Sequence, residues 1–261
     1  MNIMDTTLKI LERDMTNFRV SEYAAMRNPL MCIAHRGFSG KYPENTILAF
    51  EKAIDAGADI IEFDVTLSAD DQMVVFHDGS TKRFTGKMTP IEELTLKEIQ
   101  SIDMGAGQKI PTLEHVLDKC AGRIGMNIHM KQSGYICERV VELCKKANNL
   151  EQIFLALSKK DDILHIKEKY PDVWICSLYK QDSIDMVEAN ADLGVKLLQP
   201  CAVTLRLTQE NMVEKAKKAG MVMGVFSANT FAEYRWLSNL GVGGILTDFP
   251  DMFSRHSNFA K

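Results

Sequence analysis

The chain has 261 residues, of which 46% are hydrophobic and 25% charged, with a formal net charge of -4 at pH 7. That length suits a single barrel-sized domain, the balance is that of a globular protein, and a negative charge without a basic stripe excludes a nucleic-acid surface. No stretch reaches the roughly 20 apolar residues of an integral membrane segment, and Asp5, Lys9, Glu12 and Arg13 interrupt any signal-like core, so a cytoplasmic location is expected. Residues 1–29 place Ile3, Leu8, Leu11, Met15 and Phe18 at roughly helical spacing among charges of both signs. This predicts an N-terminal helical extension that caps a barrel floor or serves as a homo-oligomer contact. The main domain is expected over residues 30–256.

An apolar run at 30–34 delivers His35, Arg36 and Gly37 at its end, and Pro43, Glu44, Asn45 and Thr46 then open a helix with Asn45 or Thr46 as the N-cap. Residues 59–78 come next and hold the densest chemistry. Glu62 and Asp64 sit two positions apart in a strand, so both carboxylates project from one side about 7 Å apart, while Ile61, Phe63 and Val65 cover the other side. Like charges at that spacing repel, and a divalent cation between them is the economical explanation. A short apolar run at 73–76 ends in His77 and Asp78.

Residues 79–111 break the strand and helix alternation and form an insertion after strand two, with a short helix expected at 91–101. Lys82, Arg83 and Lys87 make it polar. From Thr112 onward the alternation is regular, and strands beginning near 30, 59, 124, 152, 173, 195, 221 and 243 make eight. Eight strands separated by helices at this length predict a (β/α)8 barrel of the TIM type, an α/β fold whose chemistry lies at the C-terminal strand ends.

That rule sorts the polar residues. Strand one ends in His35 and Arg36, strand two carries Glu62 and Asp64, and strand three presents Asn127, His129 and Lys131 on one alternating face. Strands four to six end in Ser158, Tyr179 and Gln199, so the chemistry gathers on one third of the rim. His35 and His77 are the candidates for proton transfer, Glu62 and Asp64 for a divalent metal, and Arg36 and Lys131 for an anion such as phosphate. His115, His165 and His256 fall in helices or the tail and are read as structural. The six cysteines show no C-x-x-C spacing and mostly lie in apolar runs, as reduced buried thiols do.

Taken together, Ala34-His35-Arg36-Gly37, Pro43-Glu44-Asn45-Thr46, Glu62-x-Asp64, His77-Asp78, Ile110-Pro111-Thr112-Leu113 and Thr247-Asp248-x-Pro250 resemble the glycerophosphodiester phosphodiesterase family. The resemblance implies hydrolysis of a small-molecule glycerophosphodiester to glycerol 3-phosphate and an alcohol, with one divalent metal, Mg or Ca. It matches His35 and His77 to the acid/base pair, Glu62 and Asp64 to metal ligands, and Arg36 and Lys131 to phosphate contacts. Where the family's third strand usually reads Asn-x-Glu-x-Lys, this chain reads Asn127-Ile128-His129-Met130-Lys131, so His129 stands in a ligand position and suggests Mn or Zn instead. Phe226 replaces a frequent tryptophan after strand seven. The rival expectations are a phospholipase C- or D-like barrel, marked by an apolar rim, and a barrel that has lost catalysis through His129.

Overall fold

The computed structural model describes residues 19–21, 30–208 and 211–253. Among them, β1 (Met31–His35), β2 (Ile60–Leu67), β4 (Gly125–Met130), β5 (Ile153–Leu157), β6 (Trp174–Ser177), β7 (Leu197–Leu198), β8 (Val222–Val225) and β9 (Gly244–Thr247) pair in parallel, each with the next. Pairing of β1 with both β9 and β2 closes the ring into the expected barrel.

Period-two alternation decides what lies inside. Ile61, Phe63 and Val65 of β2 pack outward with Phe50, Leu113 and Val116 of the helix layer. Met31, Ile33, Ile60, Phe154, Cys176, Leu197 and Leu246 fill the interior. Each strand therefore sends alternate residues inward, and His35, Glu62, Asp64, Asn127 and His129 continue that inward series toward the C-terminal ends. Of the helical extension expected at 1–29, only residues 19–21 are described, and there Val20 is buried in the interior cluster; the rest lies outside the described residues.

Two elements differ from expectation. The run ending at His77 is a short strand, β3 (Met73–Val75), which returns antiparallel along β2. This hairpin turns the chain back, so that the Phe76 N–H donates to the Asp64 carbonyl and His77 arrives at the level of the carboxylates. The inserted segment holds three short pieces, Lys82–Thr85, Ile91–Glu93 and Leu96–Ile99, in place of one helix. Thr95 breaks the expected run because its hydroxyl and Glu98 form a capping box, a local alternative to continuing the helix from Ile91. Val74, Phe76, Ile91, Ile99, Ile102, Met104 and Ile110 give this segment a core of its own.

Candidate active site

His35 ends β1 facing inward, and its Nδ1 lies 2.7 Å from Asp248 Oδ1, just past β9. Asn229 donates to the other Asp248 oxygen at 2.6 Å and the Ser39 hydroxyl donates to Oδ1 at 3.0 Å, so this carboxylate is held by neutral donors beside the imidazole. Burial, the largest influence on His35, favours its neutral form, but the Asp248 hydrogen bond and the Glu62 charge outweigh it and the pKa lies above its ordinary value. Asp248 is lowered: burial opposes this, and the bonds from His35, Ser39 and Asn229 prevail.

Glu62 and Asp64 are 2% and 1% exposed, buried enough that an uncompensated charge on either would be costly. Asp64 is well supplied. His129 Nδ1 lies 3.0 Å from Oδ1, Lys131 Nζ 3.6 Å from the same oxygen, and Asn45 Nδ2 donates to Oδ2 at 3.0 Å. Burial would raise the Asp64 pKa, but His129, Lys131 and His77 hold it well below the usual carboxylate range. Glu62 receives the Arg36 backbone N–H at 3.2 Å, and His129 Nδ1 is 3.8 Å away, beyond hydrogen-bond reach. Burial first, and the Asp64 charge second, push its pKa up.

Glu62, Asp64 and His129 thus each offer a ligand atom within 4.8 Å of the others, a set of two carboxylates and one imidazole able to hold a divalent ion. The backbone serves this cluster too. Arg36 and Asn45 both adopt φ of 55°, a left-handed conformation that asparagine tolerates and arginine seldom does. The turn is fixed by the Asn45 N–H donating to the Arg36 carbonyl at 3.0 Å, which aims one side chain at Asp64 from each end. Thr46 then caps the helix Ile47–Asp55 by accepting from the Ala49 N–H, a bond worth about 1 kcal/mol.

On the far side of the carboxylates, His77 Nδ1 meets Asp78 Oδ1 at 2.9 Å. Burial lowers the His77 pKa, and the charges of Asp64 and Asp78 only partly offset it. Arg83 Nε donates to Asp78 Oδ2 at 2.8 Å, while its two terminal nitrogens bind Glu44 at 2.8 and 2.6 Å. Glu44 Oε1 also accepts from Arg36 Nη1 at 2.9 Å. Arg36 Nε is buried and has no hydrogen-bond partner among the described residues, its nearest acid being Asp64 Oδ2 at 3.5 Å.

All seven residues singled out in the sequence therefore meet at one end of the barrel. From sequence alone, Asp248, Asn229, Glu44 and Arg83 have no role in the site, and Asn45 only that of a possible N-cap. Asp248, Glu44 and Asn45 stand inside motifs quoted for the resemblance, which was a usable signal; Asn229 and Arg83 had none beyond polarity.

Fold and rim together define a (β/α)8 barrel with acids, histidines and cations gathered at the C-terminal ends of its strands. The sequence matches the model of the glycerophosphoryl diester phosphodiesterase family over residues 35–252. Among curated relatives it is 34% identical over 248 residues to the Bacillus subtilis protein YhdW, covering 87% of this chain and 98% of that one. It is 30% identical over 234 residues to a glycerophosphodiester phosphodiesterase of Caldanaerobacter subterraneus, covering 85% and 95%. The crystal structure of a glycerophosphodiester phosphodiesterase from Thermotoga maritima, 29% identical, superposes with a TM-score of 0.74 over 87% of this chain and 97% of that one. The chain belongs to the glycerophosphoryl diester phosphodiesterase family, and it is a phosphoric diester hydrolase. No helix among the described residues is long and apolar enough to cross a membrane.

Proposed function

We propose that the chain hydrolyses glycerophosphodiesters to glycerol 3-phosphate and an alcohol, using one divalent metal ion, two histidines as proton carriers and two cations as phosphate contacts. The observation that carries this reading is the convergence of the buried Glu62 and Asp64 with the half-buried His129 into one ligand set, flanked by His35, His77, Arg36 and Lys131. The donors fit a divalent ion because two carboxylates share the pocket and Glu62 has its pKa raised partly by Asp64, a repulsion that a cation would relieve. When bound, such an ion would neutralise phosphoryl charge and acidify a nearby hydroxyl. His129 in place of a third carboxylate removes one negative charge and adds nitrogen, which favours Mn or Zn over Mg or Ca.

The remaining work falls to the side chains. Arg36 Nε, a buried donor without a hydrogen-bond partner among the described residues, and Lys131 hold the phosphoryl oxygens. Among the described residues Asp248 has neutral donors besides His35, so its charge supports the imidazolium, and His35 donates a proton to the leaving alcohol. Burial favours the neutral form of His77, and Asp78, which is shared with Arg83, only partly offsets it, so His77 takes the proton of the attacking glycerol hydroxyl. The new P–O bond closes a cyclic phosphate as the alcohol departs; water then opens it with the two histidines in exchanged roles. At residues 19–21, the burial of Val20 in the interior cluster supports a cap on the barrel floor.

The lipid-phosphodiester alternative gains from one observation: Ile184, Val203 and Leu207, on segments that follow β6 and β7, are 67%, 69% and 75% exposed. Metal-stripped protein titrated calorimetrically with Mg, Ca, Mn and Zn, then assayed on glycerophosphodiesters and on their acylated counterparts, decides both points. Turnover of the deacylated diesters with tightest binding of Mn or Zn is expected. Failure to bind any divalent ion, or turnover confined to acylated substrates, overturns the reading.

A further inference from the structure

Two acids outside the metal and proton-transfer set, Asp78 and Glu44, converge on one side chain, Arg83, which comes from the inserted segment. Its guanidinium engages two carboxylates at once, Asp78 through Nε at 2.8 Å and Glu44 through the terminal nitrogens at 2.8 and 2.6 Å. Each carboxylate holds a different working group: Asp78 takes the His77 Nδ1 at 2.9 Å, and Glu44 takes Arg36 Nη1 at 2.9 Å. The fork geometry of arginine is what allows one cation to tie both.

Arg83 is itself held from behind. The guanidinium carbon lies 4.6 Å from the centre of the Phe84 ring, and Phe84 packs at 5.6 Å against Phe76, the residue before His77. Phe76 and Phe84 belong to the core of the inserted segment with Ile91, Ile99 and Ile110. A rigid apolar unit thus supports the cation, and the cation supports the two acids.

We infer that Arg83 is a positioning residue that orients His77 through Asp78 and Arg36 through Glu44, so that the inserted segment sets both proton transfer and phosphate grip. This rests on the roles proposed above for His77 and Arg36. Without Arg83, Asp78 is free to turn toward solvent, and His77 loses the bond that fixes its ring and tautomer. Glu44 likewise loses its bidentate partner and is left with Arg36 alone, which draws that guanidinium away from the phosphoryl site.

The test is a double-mutant cycle on the full-length, metal-loaded enzyme with a glycerophosphodiester substrate. Arg83→Met, which keeps the apolar stem, should lower kcat about tenfold and raise KM several-fold, the scale of an outer partner's loss. In an Asp78→Asn background the same change should have no further effect on kcat, and in a Glu44→Gln background none on KM. Arg83→Lys, able to reach one carboxylate but not grip both, should fall between the wild type and Arg83→Met. Melting temperatures within a few degrees of wild type separate positioning from unfolding, and if Arg83→Met does not fold, the Lys variant carries the same cycle. Wild-type kinetics in Arg83→Met, or losses that multiply fully in both double variants, overturn the inference. His77→Ala is the control: near-wild-type turnover there sinks the proton-transfer reading itself, whereas an inactive His77→Ala beside an unaffected Arg83→Met sinks only the role of Arg83.

Discussion

Two arcs of one barrel row have opposite character. Across β2 and β4 the row places Asp64 beside His129; carried on through β5, β6 and β7 it places Ala156, Cys176 and Leu197. Leu178 extends the apolar arc past β6, and Phe226 past β8 meets the His35 ring edge-on at 5.0 Å. The charged arc holds acids that burial alone would drive neutral, and the apolar arc lowers the local dielectric, which strengthens each charge interaction beside it. A site of this kind divides its labour. One wall holds the ionisable groups and the other supplies packing and low dielectric.

The contrast can be broken most severely at the histidines. His35→Ala and His77→Ala should each lower kcat roughly a hundredfold or more, the range for a positioned proton carrier, with little change in melting temperature. Turnover close to wild type in both would remove acid/base catalysis from the charged arc. A smaller effect is expected one shell out, at Asn45, whose amide donates to Asp64. Asn45→Ala should weaken metal affinity about tenfold by calorimetry, as loss of an outer partner does. His129→Glu should leave binding intact but move the preferred ion toward Mg or Ca; identical preferences in the two forms would show that His129 does not ligate.

The His35–Asp248 pair offers a pH test. Because the folded His35 has a raised pKa, its contribution to stability is fully present below the ordinary value of 6.5 and is lost as pH rises through the raised value. Asp248, lowered below its ordinary value of 3.8, contributes above that value and loses its contribution as pH falls through the folded one. Asp248→Asn should therefore lower the melting temperature most at mildly acid pH and progressively less in alkaline buffer; a pH-independent difference would show that the pair is not ionic. The smallest effects belong to the opposite arc. Ser158→Ala and Tyr179→Phe, at the ends of β5 and β6, should change kcat/KM by less than about threefold, in keeping with substitutions away from charged networks. A large loss at either would mean that the apolar arc takes part in the chemistry.

The inserted segment also supports the chain that leads into His77. Val74 and Phe76 share its core, so replacing residues 79–111 by a short linker would expose the strand that carries His77. Loss of turnover on such a deletion would report the misplacement of His77, and changes in substrate preference are better sought by substitutions at its exposed Met88.

Local sequence determined a great deal here. Strand alternation at β2 alone put Glu62 and Asp64 inward and Ile61, Phe63 and Val65 outward, because neighbouring side chains in a strand must face opposite sides. The same period put Asn127, His129 and Lys131 on one face, and the regular spacing of apolar runs gave the eight parallel strands. Tertiary structure decided the partnerships. Asp248 meets His35 across 213 residues because β9 closes the barrel beside β1, and nothing within a window of either residue carries that information. Arg83 meets Glu44 across 39 residues because the β3 hairpin folds the chain back along β2 and the inserted core then seats the guanidinium. Periodicity fixes which way a side chain points; only closure of the sheet and packing of its insertion fix what it finds there.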